Sequence, residues 1–344
     1  MSTPRVSICL PNLNNRAYLE ERIETIVAQT LTDWELVICD NYSEDGAWEF
    51  FQELAGIDSR VRISQEPREG MYANWNNCVR QARGEFVYVA TSDDTMAPDC
   101  LEKMVKALEE NPDCDLAHCP MKVIDQHGNP GRDWWSVSSL FAKSSAEIMN
   151  RRHKRIAPYD GILCLLGDNI YSSVTQLLIR RSLYDKVGLY KADWGSLGDF
   201  HWNLRASLAA SAVHVPDTWG GWRMHPSQAT AGVGLNSPAH QAKIDAMIDD
   251  VLAEVDRYVD SAKDGGKFSE LRKRAHDVKV HIREHARLTE PVERRLFLMS
   301  KALSGSRPAR QHLASLVSGG KRWPKGAPAS VSSWFEDPVL IPLA

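Results

Sequence analysis

The chain has 344 residues and a net charge of −4, with 43% hydrophobic and 25% charged residues. That length suits one large domain or one domain plus an appendage. The near-neutral balance excludes a nucleic-acid footprint over the whole molecule. No run of about 18 apolar residues offers a membrane span. MSTPRVSICLPNLNN has too short an apolar run for a secretion signal. The seven cysteines are odd in number and form no C-x-x-C pair. They read as small apolar side chains in a reducing cytoplasm.

The elements then follow in chain order. VSICL (6–10) predicts a strand, and AYLEERIETIVAQT (17–30) sets Leu19, Ile23, Ile26 and Val27 at helical spacing. WELVICD (34–40) predicts a second strand, Ala47 to Leu54 a helix, VRIS (61–64) a strand and MYANWNNCVRQA (71–82) a helix. EFVYVA (85–90) is the next strand, Pro98 to Glu110 a helix with proline in its first turn, and DLAHC (115–119) a strand. Residues 120–175 are less regular, with a turn at HGNPG (127–131), the pair Trp134–Trp135 and a basic run RRHKR (151–155). QLLIRR predicts a strand, and SLYDKVG and DFHWNLRASLA (199–209) predict helices. From about Pro238 the chain reads as helical.

Strand–helix alternation with runs apolar on both faces implies an α/β fold, a mostly parallel central sheet flanked by helices in the Rossmann-like manner. Ligands of such sheets bind beyond the carboxyl ends of the strands. The polar clusters PNLNN, DNYSEDG and TSDD all lie at those ends. Asp93–Asp94 can cap the helix that follows, or can hold a divalent cation shared with substrate phosphates. Asp40 can belong to a turn, or can face the crevice and accept hydrogen bonds from a base or ribose.

The three blocks VSICLPNLNN, VAQTLTDWELVICDNYSEDG and EGMYANWNNCVRQARGEFVYVATSDD, in this order, resemble the family 2 glycosyltransferases of GT-A fold. The resemblance is strong over residues 5–120 and continues more weakly to about 230. It implies a catalytic domain over 1–235, with a nucleotide-binding half (1–120) and an acceptor-binding half (121–235), followed by a helical C-terminal extension (236–344). The implied activity is inverting, metal-dependent transfer from a nucleotide-diphosphate sugar, a UDP-sugar by preference. The acceptor is a hydroxyl of a saccharide or lipid-linked saccharide, as in bacterial surface polysaccharide synthesis.

Carried over by position, Pro11, Asn12 and Asn14 line the nucleotide pocket and Asp40 meets the base. Arg68 and the segment Gly70–Asn76 border the nucleotide, with Asn74 the best polar candidate. Asp93 binds Mn²⁺ or Mg²⁺ as the last member of the D-x-D motif. Ser92 and Asp94 flank it, Asp94 near the sugar or at the helix start. Asp199, at the start of the helix in SLGDFHWNLRASLAA, is the implied general base, a task that suits a carboxylate whose burial raises its pKa. A helix cap is the plainer reading of the same residue. In WGGWRMHPSQAT (219–230), Gly220 and Gly221 allow a mobile loop and Arg223 can grip phosphate. His225 matches a further metal ligand, against the plainer reading of a structural histidine, and Trp219 and Trp222 would exclude water. The chain departs from the family pattern at two positions: Thr91 stands where the first D-x-D aspartate belongs, and Gly198 stands where an acidic residue often precedes the base.

From Pro291 to Pro328 Glu293 is the one acidic residue, set against eight lysines and arginines. The stretch reads as a helical appendage with a basic face, or as a peripheral contact with anionic lipid at the inner face of the plasma membrane. Helices over 239–303 could equally pair two copies of the chain. Trp134, Trp135, Trp194 and Trp202 could stack on sugars or fill a core. Three alternatives stand beside this reading. A sugar nucleotidyltransferase wants a glycine-rich basic loop that PNLNNRAY does not offer. A dehydrogenase wants G-x-G-x-x-G after the first strand. A non-catalytic nucleotide-sugar binder rests on Thr91 and Gly198.

Overall fold

The computed structural model describes residues 3–133, 150–165, 170–226, 228, 238–259 and 340–343. The expected helices beyond 259, the basic stretch and Trp134–Trp135 lie outside the described residues, as does most of the 236–344 extension.

The strands are β1 Val6–Asn12, β2 Trp34–Asp40, β3 Val61–Gln65, β4 Phe86–Val89, β5 Thr95–Met96, β6 Cys114–His118 and β7 Met121–Ile124. They continue with β8 Pro130–Asp133, β9 His153–Arg155, β10 Leu177–Arg180, β11 Ser211–His214, β12 Gly220–Arg223 and β13 Leu340–Pro342. The helices are α1 Arg16–Val27, α2 Ala47–Ile57, α3 Met71–Gln81, α4 Cys100–Glu110, α5 Tyr159–Leu165, α6 Ser182–Val187, α7 Gly198–Ala209 and α8 Pro238–Ala253.

Nine strands form one sheet in the order β13-β9-β11-β6-β10-β4-β1-β2-β3. The part read most clearly from sequence, β3-β2-β1-β4, is wholly parallel. Across β10 the sheet becomes mixed: β10 runs antiparallel to β4 and β6, and β9 antiparallel to β11 and β13. The expected parallel character therefore belongs to the N-terminal strands, where helices α1 to α3 make the crossovers that parallel neighbours require.

Period-two alternation explains how both faces are covered. Val6, Ile8 and Leu10 of β1 pack with α1, α2 and α4 on one face. Cys9, with Val37 and Cys39 of β2, packs with α3 and the helices of the second half on the other. All seven cysteines are buried, as their apolar settings lead one to expect.

A second sheet, β5-β12-β7-β8, lies beside the site. The mobile loop expected at Gly220–Gly221 is instead strand β12, pairing with β5 and β7. A Cβ on Gly220 would lie 2.3 Å from the Thr175 carbonyl oxygen, and one on Gly221 would lie 2.1 Å from Thr95 Oγ1. The glycines serve close approach of backbone rather than freedom of movement. No helix among the described residues is long and apolar enough to cross a membrane.

Candidate active site

The carboxyl ends of β1, β2 and β4 meet because their strands are parallel and in register, with Asn12 opposite Asp40 and Cys9 opposite Val89. Asn12 Nδ2 donates to Asp40 Oδ1 at 2.9 Å and Ser43 Oγ donates to the same oxygen at 2.6 Å. The Ser43 N–H donates to Asp40 Oδ2 at 2.8 Å. Asp40 is fully buried beneath the loop it holds, so contact with a base requires that loop to shift. Pro11 is buried opposite Cys39.

Asn14 and Tyr42 take left-handed backbone, with φ of 54° and 53°. Such angles are costly for residues other than glycine and persist where surroundings over-determine them. Here the two loops are laced together. The Asn14 N–H donates to Ser43 Oγ at 2.9 Å, and the Glu44 N–H donates to Asn14 Oδ1 at 2.9 Å. Arg68 donates from Nε to the Asn41 carbonyl at 2.8 Å and from Nη2 to the Tyr42 carbonyl and to Glu44. Gly70, with φ of 103°, precedes α3 and lets that helix start at the edge. From α3, Asn74 Nδ2 donates to the Cys39 carbonyl at 2.8 Å. Asn12 Oδ1 and Asn74 Oδ1 are buried acceptors with no hydrogen-bond partner among the described residues. Each costs about 1–3 kcal/mol unless a donor arrives. This edge therefore suits a ligand that brings N–H or O–H groups.

The Thr91–Asp94 turn is the second part. Asn15 Nδ2 donates to Ser92 Oγ at 2.7 Å, tying the turn to the start of α1. Thr91 Oγ1 donates to Asp94 Oδ2, and the Arg223 N–H donates to Asp94 Oδ1 at 2.8 Å. Thr91 thus orients its neighbour and adds no charge. Burial pushes the Asp94 carboxyl up to about 7, the charge of Asp93 adds to this, and the Thr91 and Arg223 donors act against it. The helix-cap reading of the pair is corrected: β5 intervenes, and α4 begins at Cys100 behind Asp99.

His225 Nε2 lies 2.9 Å from Asp93 Oδ2, joining residues 132 positions apart. The His225 ring packs 4.8 Å from Tyr18. An oxygen–nitrogen pair suits Mn²⁺ well, and Mg²⁺ with greater reliance on water and phosphate oxygens. No group of three or more His, Cys, Asp or Glu that could hold a metal occurs among the described residues. The residues fit an ion held by two side chains and by the phosphates of a bound substrate.

Arg223 is buried, with Nε donating to the Asp93 carbonyl at 2.6 Å, Nη1 to the Asp125 carbonyl at 3.1 Å and Nη2 to Glu21 at 2.6 Å. It clamps β12 to the turn. A phosphate grip would require some of these partners to be given up.

Asp199 lies in the first turn of α7, behind Leu197, so it is not the helix cap. Its Oδ1 accepts from the Phe200 N–H at 2.7 Å and from the Tyr72 hydroxyl at 3.0 Å. Burial pushes this carboxyl up, while the two donors pull it down. Gly198 leaves room for the Tyr72 ring, since a Cβ there would sit 2.4 Å from ring carbons. Trp202 is fully buried core and is withdrawn from the sugar-stacking set. Trp194 is partly buried and stacks on His201. Sequence reasoning missed Ser43, Asn15, Tyr18 and Glu21, and took Tyr72 only as part of the Gly70–Asn76 segment, without its contact to Asp199. Ser43 carried a signal in DNYSEDG, whereas an aromatic within a helix carries none.

The profile of Glycosyl transferase family 2 matches residues 7–188, slightly over half the chain. An uncharacterized protein of Mycobacterium tuberculosis, MT1568, is 26% identical over 213 residues, covering 62% of this chain and 65% of that protein. The chondroitin synthase of Escherichia coli is 31% identical over 126 residues, covering 37% of this chain and 18% of that enzyme. The chain spans less than two thirds of the length of the curated relatives it matches first. The crystal structure of Staphylococcus aureus TarS in complex with UDP-GlcNAc superposes with a TM-score of 0.55 at 15% identity, covering 92% of this chain and 93% of that one. The likeness is one of fold, the GT-A fold expected from the sequence.

Proposed function

This chain belongs to glycosyl transferase family 2, and on that footing we propose that it moves a sugar from a nucleotide-diphosphate donor, a UDP-sugar, to an acceptor hydroxyl with inversion. The acceptor in this reading is a saccharide or lipid-linked saccharide of a surface polysaccharide. The observation that carries it is the meeting of Asp93 and His225 at 2.9 Å on the carboxyl edge of the parallel strands. Those two residues would hold Mn²⁺ or Mg²⁺. Bound there, the ion would neutralise charge on the departing nucleoside diphosphate.

The remaining work falls to side chains. Asn12, Asn14, Asn74 and the Arg68-pinned loop cradle the nucleoside. Asp199 takes the proton of the acceptor hydroxyl. Among the described residues the Tyr72 and Phe200 donors fall on Oδ1, and Oδ2 is the oxygen that would receive that proton. The acceptor oxygen bonds to the anomeric carbon as the bond from that carbon to phosphate oxygen breaks. A carboxylate lifted by burial is a stronger base than a solvated one. The non-catalytic alternative drew its support from Thr91 and Gly198, and each has a local structural task. The inner membrane surface remains the proposed working place if the acceptor is lipid-linked.

The experiment is a panel of nucleotide sugars with Mn²⁺, read first by thermal shift and then by transfer. A ligand of the folded state raises its melting temperature. Asp199→Asn should keep that rise and lose about 10²–10⁴ in turnover. Transfer near the wild-type rate by folded Asp199→Asn would remove the base assignment. No stabilisation by any nucleotide sugar would remove the donor class.

A further inference from the structure

We propose that Tyr72 is a positioning residue, whose hydroxyl fixes the carboxylate of Asp199 and ties it to the helix that borders the donor. The proposal rests on Asp199 being the base. Tyr72 belongs to α3, the helix that also carries Asn74 to the Cys39 carbonyl. Asp199 belongs to α7, 127 residues further on. Their contact is therefore a direct bridge between the two halves of the site.

The bridge is rigid. The Tyr72 ring stacks on Tyr190 at 5.9 Å with 18° between planes, and Trp75 meets it edge-on at 5.0 Å. Asn76 clasps the Tyr190 backbone in both directions, donating to its carbonyl at 2.8 Å and accepting from its N–H at 3.0 Å. The hydroxyl is thus placed by packing that does not depend on Asp199. Gly198 belongs to the same device, because any side chain there would enter the Tyr72 ring.

The pairing has a definite chemical direction. Burial and the nearby Asp199 push the Tyr72 phenol up, so it stays protonated and always donates. A donor to a carboxylate favours the ionised form, the form a base needs. It also holds Oδ1 in place and so aims Oδ2. The other groups around the pair do not replace it. Tyr190 is itself a neutral phenol, donating or accepting toward Tyr184 at 3.2 Å. From the preceding turn the Ser196 carbonyl lies 3.5 Å from the Tyr72 hydroxyl. His201, two residues along α7, turns to Asp250 of α8 at 2.9 Å, where Lys191 also binds. Arg205, a further turn along, donates to the Val187 and Leu189 carbonyls.

The variant is Tyr72→Phe, which keeps the ring and removes the hydroxyl. The full chain, labelled with ¹³C at aspartate carboxyls, gives the Asp199 titration directly, its signal assigned by its loss in Asp199→Asn. The midpoint should rise by about one pH unit in Tyr72→Phe, the shift a charge-assisted hydrogen bond produces. In transfer from the UDP-sugar that stabilises the protein, the acidic limb of kcat/KM should move up equally while the donor KM holds. An unmoved midpoint overturns the proposal whether or not the chain transfers sugar. A moved midpoint with an unmoved limb overturns the base assignment instead, and with it any part for Tyr72 in catalysis.

Discussion

The two halves of the large sheet bury their interiors differently. In β3-β2-β1-β4 the buried residues are mostly apolar, as Val6, Ile8, Leu10, Val37 and Ile38 illustrate, with Ser7 and Glu35 paired at one end and Asn12 and Asp40 at the other. In β6, β11 and β9 the interior holds His118, His214, His153 and Arg155, all at most 1% exposed. His118 and His214 face each other Nδ1 to Nδ1 at 3.1 Å, and the His153 ring lies 4.9 Å from that of His214. Arg155 Nε donates to Asp160 at 2.8 Å, and the Tyr171 hydroxyl donates to the same carboxylate. The apolar half gains its stability from area and tolerates small errors. The polar half depends on every partner being present, because a buried charge left alone is costly.

The sharpest way to break that contrast is Arg155→Met. It leaves Asp160 enclosed without its cation, and removal of one partner of a buried pair costs about 3–5 kcal/mol. Urea unfolding measures it, and a loss below about 1 kcal/mol would mean the polar interior is not held by this pair.

Acid provides the next test. Burial holds His118 and His214 well below the usual histidine range, with nearby Arg155 and the neighbouring imidazoles adding to it. The unfolded chain takes up these protons near pH 6.5, whereas the folded chain resists them. The stabilisation is thus complete above that pH and is lost as pH falls below it. Asp94, pushed up to about 7 by burial, works in the opposite sense. It is common to both proteins in a comparison with His214→Asn. The melting-temperature advantage of the wild type over that variant should therefore shrink from pH 7.5 to pH 5.5. A constant gap would show that the imidazole does not titrate with unfolding.

This contrast also governs what could be read in advance. Strands β1, β2 and β4 announced themselves because apolar runs ended in PNLNN, DNYSEDG and TSDD, and the parallel register turned those ends into one site. In the polar half, RRHKR read only as a basic run, and nothing in it showed that His153 and Arg155 of β9 lie inside. Nothing local signals that Asp160, five residues on, is the partner that permits burial. Strand β12 was hidden for another reason. Its two glycines weaken strand propensity, and the need for them lies in Thr175 and Thr95, distant in sequence. The role of Tyr72 was invisible because its hydroxyl acquires meaning from Asp199 alone, whereas Asp93 stood out at the end of an apolar strand and Asp199 through the family resemblance.

The gentlest test lies in the apolar half. Ile8, fully buried at the centre of β1, packs with its neighbours through dispersion and loss of hydrated area, with no polar atom at stake. Ile8→Val removes one methylene and should cost about 0.5–1.5 kcal/mol. Because no proton is bound or released, the same loss should appear at pH 7.5 and at pH 5.5. Urea unfolding at both values decides it. A pH-independent loss here, beside a pH-dependent gap for His214→Asn, would separate the two modes of burial within one sheet. A loss for Ile8→Val that varied with pH would mean that the polar network reaches across β4 and β10 into the parallel strands, and the two halves would then have to be treated as one electrostatic unit.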